Sequence, residues 1–399
     1  MLNRRLFLKS SALAMFGMGA VPHWLARAAE GVESRKKILV VIFQRGAADG
    51  LNVVVPFGDP NYYALRPNIA ISKGDVIDLD GFYGLHPSLK ALKPVFDAKH
   101  LAIVEATGSP DPTRSHFDAQ DYMESGTPGR KATLDGWLNR AIPVEKGPIS
   151  PVRAVSLGTS LSRTLRGPNA AIAVSNLKEF EIHDSRSSNA FEGMYEGTLD
   201  QVLKSTGRET FEAMKILQSV QKQTYTPAGD AKYPAGRFGQ SMMQIARLIK
   251  ANVGVEVAFA DVGGWDTHVN EVGPLTRLLG EFGNGLGAFY ADLGDRMQDV
   301  VVVTMSEFGR TAKENGNRGT DHGHANCMFV MGGDVNGGKV YGKWPGLEKE
   351  QLYEGRDLNI TTDFREVLGG LVTRHLGARN LAKVFPNFEA PASMIQIVG

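Results

Sequence analysis

Residues 37–50 read KILVVIFQRGAADG. Residues 38–43 are apolar without alternation, and Ile38, Val40, Val41 and Ile42 are β-branched. An unbroken run of this kind predicts a strand covered on both faces, as in a parallel sheet, rather than a half-exposed strand with period-two polarity. The glycine-rich polar cluster behind it predicts a tight turn at the strand's carboxyl end. Open α/β sheets build their sites at that end.

The same grammar recurs along the chain. Residues 87–99 place Leu89, Leu92, Val95 and Phe96 at helical spacing and feed an apolar strand at 101–105. A helix at 238–251 feeds a strand at 255–261, and a helix at 275–297 feeds one at 300–304. Further strands are predicted at 152–156 and 326–331, a long helical region at 189–223 and a late helix at 362–376. Helices alternating with buried strands predict the α/β class: one doubly wound, mostly parallel sheet sandwiched by helices. The pattern is weakest at 185–234, which is expected to form a helical insertion or cap on a single domain spanning 29–399.

Composition narrows the function. The 399 residues hold 44 Lys+Arg against 43 Asp+Glu, so no global basic field exists to hold nucleic acid. A single cysteine, Cys327, excludes an internal disulfide framework and a cysteine-based zinc cluster; opening an apolar strand, it reads as a buried small hydrophobe. Residues 1–28 read as an address: Arg4-Arg5-Leu6-Phe7-Leu8-Lys9, a short small-residue apolar run at 12–21, and Ala26-Arg27-Ala28. Charged start, apolar run and A-x-A site make a twin-arginine export signal, too short for a comfortable membrane span. Cleavage after Ala28 removes four basic residues (Arg4, Arg5, Lys9, Arg27) and no acidic one, leaving 40 basic against 43 acidic. The expected product is a mildly acidic periplasmic or secreted protein, delivered by the twin-arginine machinery, with no stable membrane span.

Four strand-end loops carry polar clusters. The first holds Asp49-Gly50; the second Asp111, Thr113, Arg114, Ser115 and His116, with Ser115 opening a helix; the third Asp266-Thr267-His268; the fourth Ser306-Glu307-Phe308-Gly309-Arg310 and then Asp321-His322-Gly323-His324. Alone, Asp49-Gly50 is a turn, Ser115 a helix cap and Glu307 a surface carboxylate. Asp266 and His268, two apart in extended chain, point to the same side. Asp321, His322 and His324 put three potential ligands within four residues, and carboxylates with imidazoles are the ligand set of zinc, manganese or iron. Together the clusters predict a metal or hydrolytic site.

The segments FQRGAADGLNVVVP (43–56), RSHFDAQDYMESG (114–126), GGWDTHVN (263–270) and SEFGRTAKENGNRGTDHGHAN (306–326) resemble the bacterial exported family known as domain of unknown function 1501. That family resembles in fold the alkaline phosphatase and sulfatase superfamily. The resemblance implies one or two divalent metal ions, zinc or manganese foremost, and hydrolysis of a small anionic phosphate or sulfate ester. It implies Asp49, Asp266, His268 and one of His322 or His324 as metal ligands, and Ser115, with Thr113 second, as nucleophile. Arg114 or Arg310 would clamp the anion, or else form ion pairs. Glu307 and Phe308 stand where the superfamily carries Asp and His, so one ligand is missing from its usual place. His324, Asp321 or His116 fills that place, or a single metal binds. The competing expectation is a non-catalytic metal- or ligand-binding assembly protein with a degraded site. A polymer binder would need a row of exposed aromatics, and Trp265, Tyr341 and Trp344 are too few.

Overall fold

The computed structural model describes residues 36–143, 149–177 and 201–399, with side chains from residue 208 onward in the last segment. The export signal and residues 185–200 of the expected cap lie outside the described residues. Among these residues the main sheet has nine strands: β1 (Ile38–Arg45), β5 (Leu101–Gly108), β6 (Ala154–Leu157), β7 (Ile172–Val174), β8 (Val257–Gly263), β9 (Val300–Ser306), β10 (Asn326–Gly332), β11 (Lys339–Tyr341) and β12 (Thr362–Asp363). The order is β11-β5-β10-β9-β1-β8-β6-β7, with β12 beside β5. A small second sheet joins β2 (Val54–Val55), β3 (Ile77–Asp78) and β4 (Gly84–Leu85).

The unbroken run at 38–43 does what its lack of alternation predicts. Ile38, Val40 and Ile42 enter the core on one face of the sheet; Leu39, Val41 and Phe43 enter the core on the other. Each such side chain is buried, at about 1.5–3 kcal/mol of transfer free energy. On the first face pack α2 (Gln201–Lys222), α3 (Arg237–Lys250) and α4 (Val272–Leu293). On the second pack α5 (Phe364–Arg374) and the carboxyl half of α1 (His116–Ser125), through Met123. The stretch expected as a cap thus contributes a helix to the main core: Ala213, Ile216, Leu217 and Val220 of α2 are buried in it. No helix of the described residues is long and apolar enough to cross a membrane.

Two departures have plain causes. The helix expected at 87–99 is split into a 3-10 turn (Pro87–Leu92) and a short α-helix (Lys93–Asp97). Pro94 has no N–H to continue the first segment, and its ring opens the second. Secondly, β10 runs antiparallel to both β9 and β5. The chain between β9 and β10 holds no crossover helix, so it folds back instead of recrossing the sheet.

Candidate metal centre

That reversal decides the site. β1, β5, β8 and β9 run in one direction, so their carboxyl ends share an edge. β10 enters from the same edge, with Asn326 paired to Thr107. The loops after β1, β5, β8 and β9 therefore meet there. Two glycines allow close approach: a Cβ on Gly319 would lie 2.4 Å from the backbone of His268, and one on Gly323 2.2 Å from Arg310. Backbone hydrogen bonds zip the loops together, from Thr320 N–H to Thr267 O (3.2 Å) and from Glu271 N–H to Arg318 O (2.9 Å).

At the junction three imidazoles and one carboxylate converge. His322 Nε2 lies 3.0 Å from His116 Nε2 and 3.0 Å from His268 Nε2. Asp266 Oδ1 lies 3.0 Å from His268 Nε2, 3.3 Å from His322 Nε2 and 3.6 Å from His116 Nε2. The ligand atoms of His116, Asp266 and His322 lie within 4.8 Å of one another, a group that could hold a metal ion, and His268 Nε2 lies beside two of them. Ligand atoms around a tetrahedral ion at zinc–nitrogen bond lengths stand about 3.3 Å apart.

The far side of each ring explains why the Nε2 atoms face inward. His322 Nδ1 is 2.9 Å from the backbone carbonyl of Arg114, which only accepts, so Nδ1 carries the proton. His116 Nδ1 donates to Glu307 Oε1 at 2.8 Å, and His268 Nδ1 to Asp321 Oδ1 at 3.3 Å. With the proton held at Nδ1, a ring in its neutral form aims a bare Nε2 lone pair at its neighbours. Lone pairs 3.0 Å apart repel unless a cation or a proton lies between them. An acceptor behind each imidazole is the arrangement that accompanies ligating histidines in metal sites.

Electrostatics follow the same plan. Glu307 is buried, and its Oε1 also accepts from Gly46 N–H and Gln120 Nε2 at 2.8 Å each. Burial works against its charge, but the His116 and Gln120 hydrogen bonds hold it below the usual carboxylate range. The Glu307 hydrogen bond raises His116 in turn, while burial lowers His322. Asp266, despite partial burial, is held low by Arg310. Phe308, where the resemblance expects histidine, stacks on His116 at 5.0 Å and leans on His322 at 5.1 Å, fixing two ring planes. Side-chain exposures of 24% for His116, 25% for His322, 38% for His268 and 46% for Asp266 leave the cluster open to solvent.

The structure thus brings together Asp266, His268 and His322 of the expected ligands, and adds His116, first residue of α1, which entered the sequence reading only as a stand-in. Glu307 and Asp321 sit behind imidazoles instead of beside the Nε2 atoms. His324 is turned away and stacked on Tyr353 at 4.2 Å. Arg310 is buried, with its guanidinium engaged by the carbonyls of Gly46 (2.6 Å) and Ala47 (2.7 Å) and by Asp266 Oδ1 (2.5 Å). Its guanidinium is thus committed to these groups rather than exposed for an anion, as the ion-pair alternative for this residue has it. Arg114 pairs with Asp357 and Glu354 at 2.7 Å each. Ser115 is the exposed N-cap of α1 and makes no side-chain capping bond; Thr113 Oγ1 accepts the Ser115 N–H at 3.2 Å. Cys327 is buried in β10.

Asp49 is held elsewhere. Arg66 grips its carboxylate with both terminal nitrogens, and the pair is buried at 0% and 1% exposure. Against its burial, Arg66 keeps the Asp49 carboxyl low. Asp49→Ala should lower the unfolding free energy by about 3–5 kcal/mol, the cost of stranding a buried charge, and leave the metal content of the folded protein unchanged. Denaturant unfolding and elemental analysis of one preparation check both; metal loss with stability intact would return Asp49 to the ligand set.

The model of the family described as "Protein of unknown function (DUF1501)" matches residues 98–385. Among solved structures, the PsFucS1 sulfatase from Pseudoalteromonas sp. is similar at 10% identity over 95% of this chain and 76% of that chain, with a TM-score of 0.41. The lipoteichoic acid synthase LtaP from Listeria monocytogenes is similar at 10% identity over 78% and 67%, with a TM-score of 0.32. The alkaline phosphatase from the Antarctic bacterium TAB5 is similar at 13% identity over 76% and 94%, with a TM-score of 0.30. No curated protein matches the chain in sequence. The segments at 114–126, 263–270 and 306–326 that build the imidazole cluster all fall inside the matched span, and on the strength of that match the chain belongs to the DUF1501 family.

Proposed function

We propose that this chain binds one divalent metal ion through His116, Asp266, His268 and His322 and hydrolyses a small phosphate or sulfate ester there. The observation that carries the reading is the convergence of three Nε2 atoms on one carboxylate oxygen, each imidazole backed by an acceptor at Nδ1. A bound divalent ion supplies Lewis acidity to an anionic ester. Glu307, Asp321 and the Arg114 carbonyl hold the three rings in the ligating tautomer. Arg310 holds Asp266 ionised and aimed. Ser115, exposed one residue before a ligand and uncommitted to capping, is the nucleophile this arrangement favours, with the N-terminus of α1 beside it for the anion.

Side-chain exposures of 24–46% across the four groups leave the cluster open to a small ester from solvent, which favours chemistry over a purely structural ion. The protein reaches its place of work through residues 1–28, and Arg4→Lys with Arg5→Lys should retain it in the cytoplasm. Purified full-length protein should carry about one zinc or manganese per chain. It should cleave at least one of an aryl phosphate, an aryl phosphodiester and an aryl sulfate. Chelation should abolish turnover and metal should restore it. Metal present with all three esters untouched would favour the non-catalytic binding protein; metal absent after growth in ample zinc and manganese would defeat both.

A further inference from the structure

Beneath the metal centre lies a buried polar network that the proposed chemistry does not use. Glu271, immediately before α4, is 0% exposed. A carboxylate there is well placed to cap the helix, yet Glu271 makes no side-chain capping bond and turns inward. Its Oε2 accepts from Thr320 Oγ1 at 2.8 Å and from Thr267 Oγ1 at 3.2 Å. Thr267 sits between Asp266 and His268; Thr320 sits two residues before His322. Its Oε1 accepts from Asn52 Nδ2 at 3.0 Å, and Asn52 is itself fixed by Tyr62 OH (2.7 Å) and the Ile69 carbonyl (3.1 Å). One carboxyl oxygen thus holds the feet of the two loops that carry three of the four converging groups, and the other oxygen ties them to the turn after β1.

We propose that Glu271 is a positioning residue for the metal centre, setting the distance between the Asp266–His268 loop and the His322 loop through Thr267 and Thr320. This rests on the metal reading above. The reach of the side chain supports it: aspartate, one methylene shorter, cannot span both hydroxyls and Asn52 from the same backbone. Burial and the neighbouring Asp49 carboxylate push Glu271 well above the usual carboxylate range. Glutamine keeps the side-chain length and an oxygen for the two threonines, and loses the Asn52 bond.

The test is zinc affinity, read by competition with a chromogenic chelator, in wild type and in Glu271→Ala, Glu271→Gln, Thr267→Val and Thr320→Val. Outer-shell partners of a metal site are worth roughly 10- to 100-fold in affinity. Glu271→Ala should fall in that range and Glu271→Gln should stay within a few-fold of wild type. Each threonine variant should lose part of the affinity, and Thr320→Val should add little to Glu271→Ala, because both break one linkage. Melting of the metal-free proteins separates this from general damage: Glu271→Gln should recover zinc affinity whether or not it recovers melting temperature. Zinc affinity unmoved in a folded Glu271→Ala, or lost equally in Glu271→Gln, overturns the proposal. Where Glu271→Ala fails to fold, unchanged affinity in both threonine variants overturns it. Wild-type protein that binds no zinc defeats the metal reading and this proposal together, whereas wild-type binding that none of the variants alters defeats this proposal alone.

Discussion

His322→Ala is expected to leave the purified protein essentially free of metal, with His324→Ala beside it fully loaded. His322 is the hub: its Nε2 is 3.0 Å from each of the other two ring nitrogens and 3.3 Å from Asp266 Oδ1. Removing it takes away one ligand and the ring against which Phe308 and His116 are packed. The loss of affinity should exceed the roughly 10- to 100-fold that follows from losing an outer-shell partner. Alanine at 322 also removes the facing lone pairs, so the metal-free variant should unfold no more easily than metal-free wild type. His324 lies two residues on in the same glycine-rich loop, but its ring is stacked on Tyr353, outside the cluster. Elemental analysis of the two variants decides the matter: metal retained in His322→Ala, or lost in His324→Ala, would mean that the cluster is not the centre.

Ser115→Ala is expected to abolish ester hydrolysis while metal content and stability stay close to wild type. The Ser115 hydroxyl makes no capping bond to α1, so truncating it should cost less than the roughly 1 kcal/mol of a lost cap. Its place at the N-terminus of a ten-residue helix, next to His116, puts the helix dipole and the metal ligands on the same charge. Loss of a nucleophile lowers turnover by roughly 10³-fold or more. A fall of only a few-fold, with metal unchanged, would remove Ser115 from the chemistry. The same fall in Thr113→Ala instead would move the nucleophile by two residues, at the expense of the bond Thr113 Oγ1 now accepts from the Ser115 N–H.

Much of the fold was legible because burial on two faces leaves a mark in one dimension. Residues 38–43 and 300–304 read as unbroken apolar runs, and both are central strands with side chains entering both cores. The short edge strands at Ile172–Val174 and Lys339–Tyr341 leave no such mark, since three residues apiece, most of them partly exposed, are too few to make a run. The reversed direction of β10 left no mark either; strand polarity depends on how the chain returns, and an apolar strand reads alike both ways.

For the site, the sequence by itself determined which residue types the strand-end loops offer, because side chains in glycine-rich strand ends are a local property. Only the tertiary structure decided who meets whom. His116 and His322, 206 positions apart, touch because β5 and β10 pair with their loops at one edge. Asp49 and Asp266 are alike as carboxylates after strands, but a buried guanidinium claims Asp49 whole, whereas Arg310 takes only one side of Asp266 and leaves it facing the imidazoles. Glu307 and Asp321 look like ligands in sequence and stand behind imidazoles in space, each meeting a ring at Nδ1. A chain of letters records that a charge is present; its partner is set by distances across the fold, and Coulomb and hydrogen-bond energies act over those distances alone.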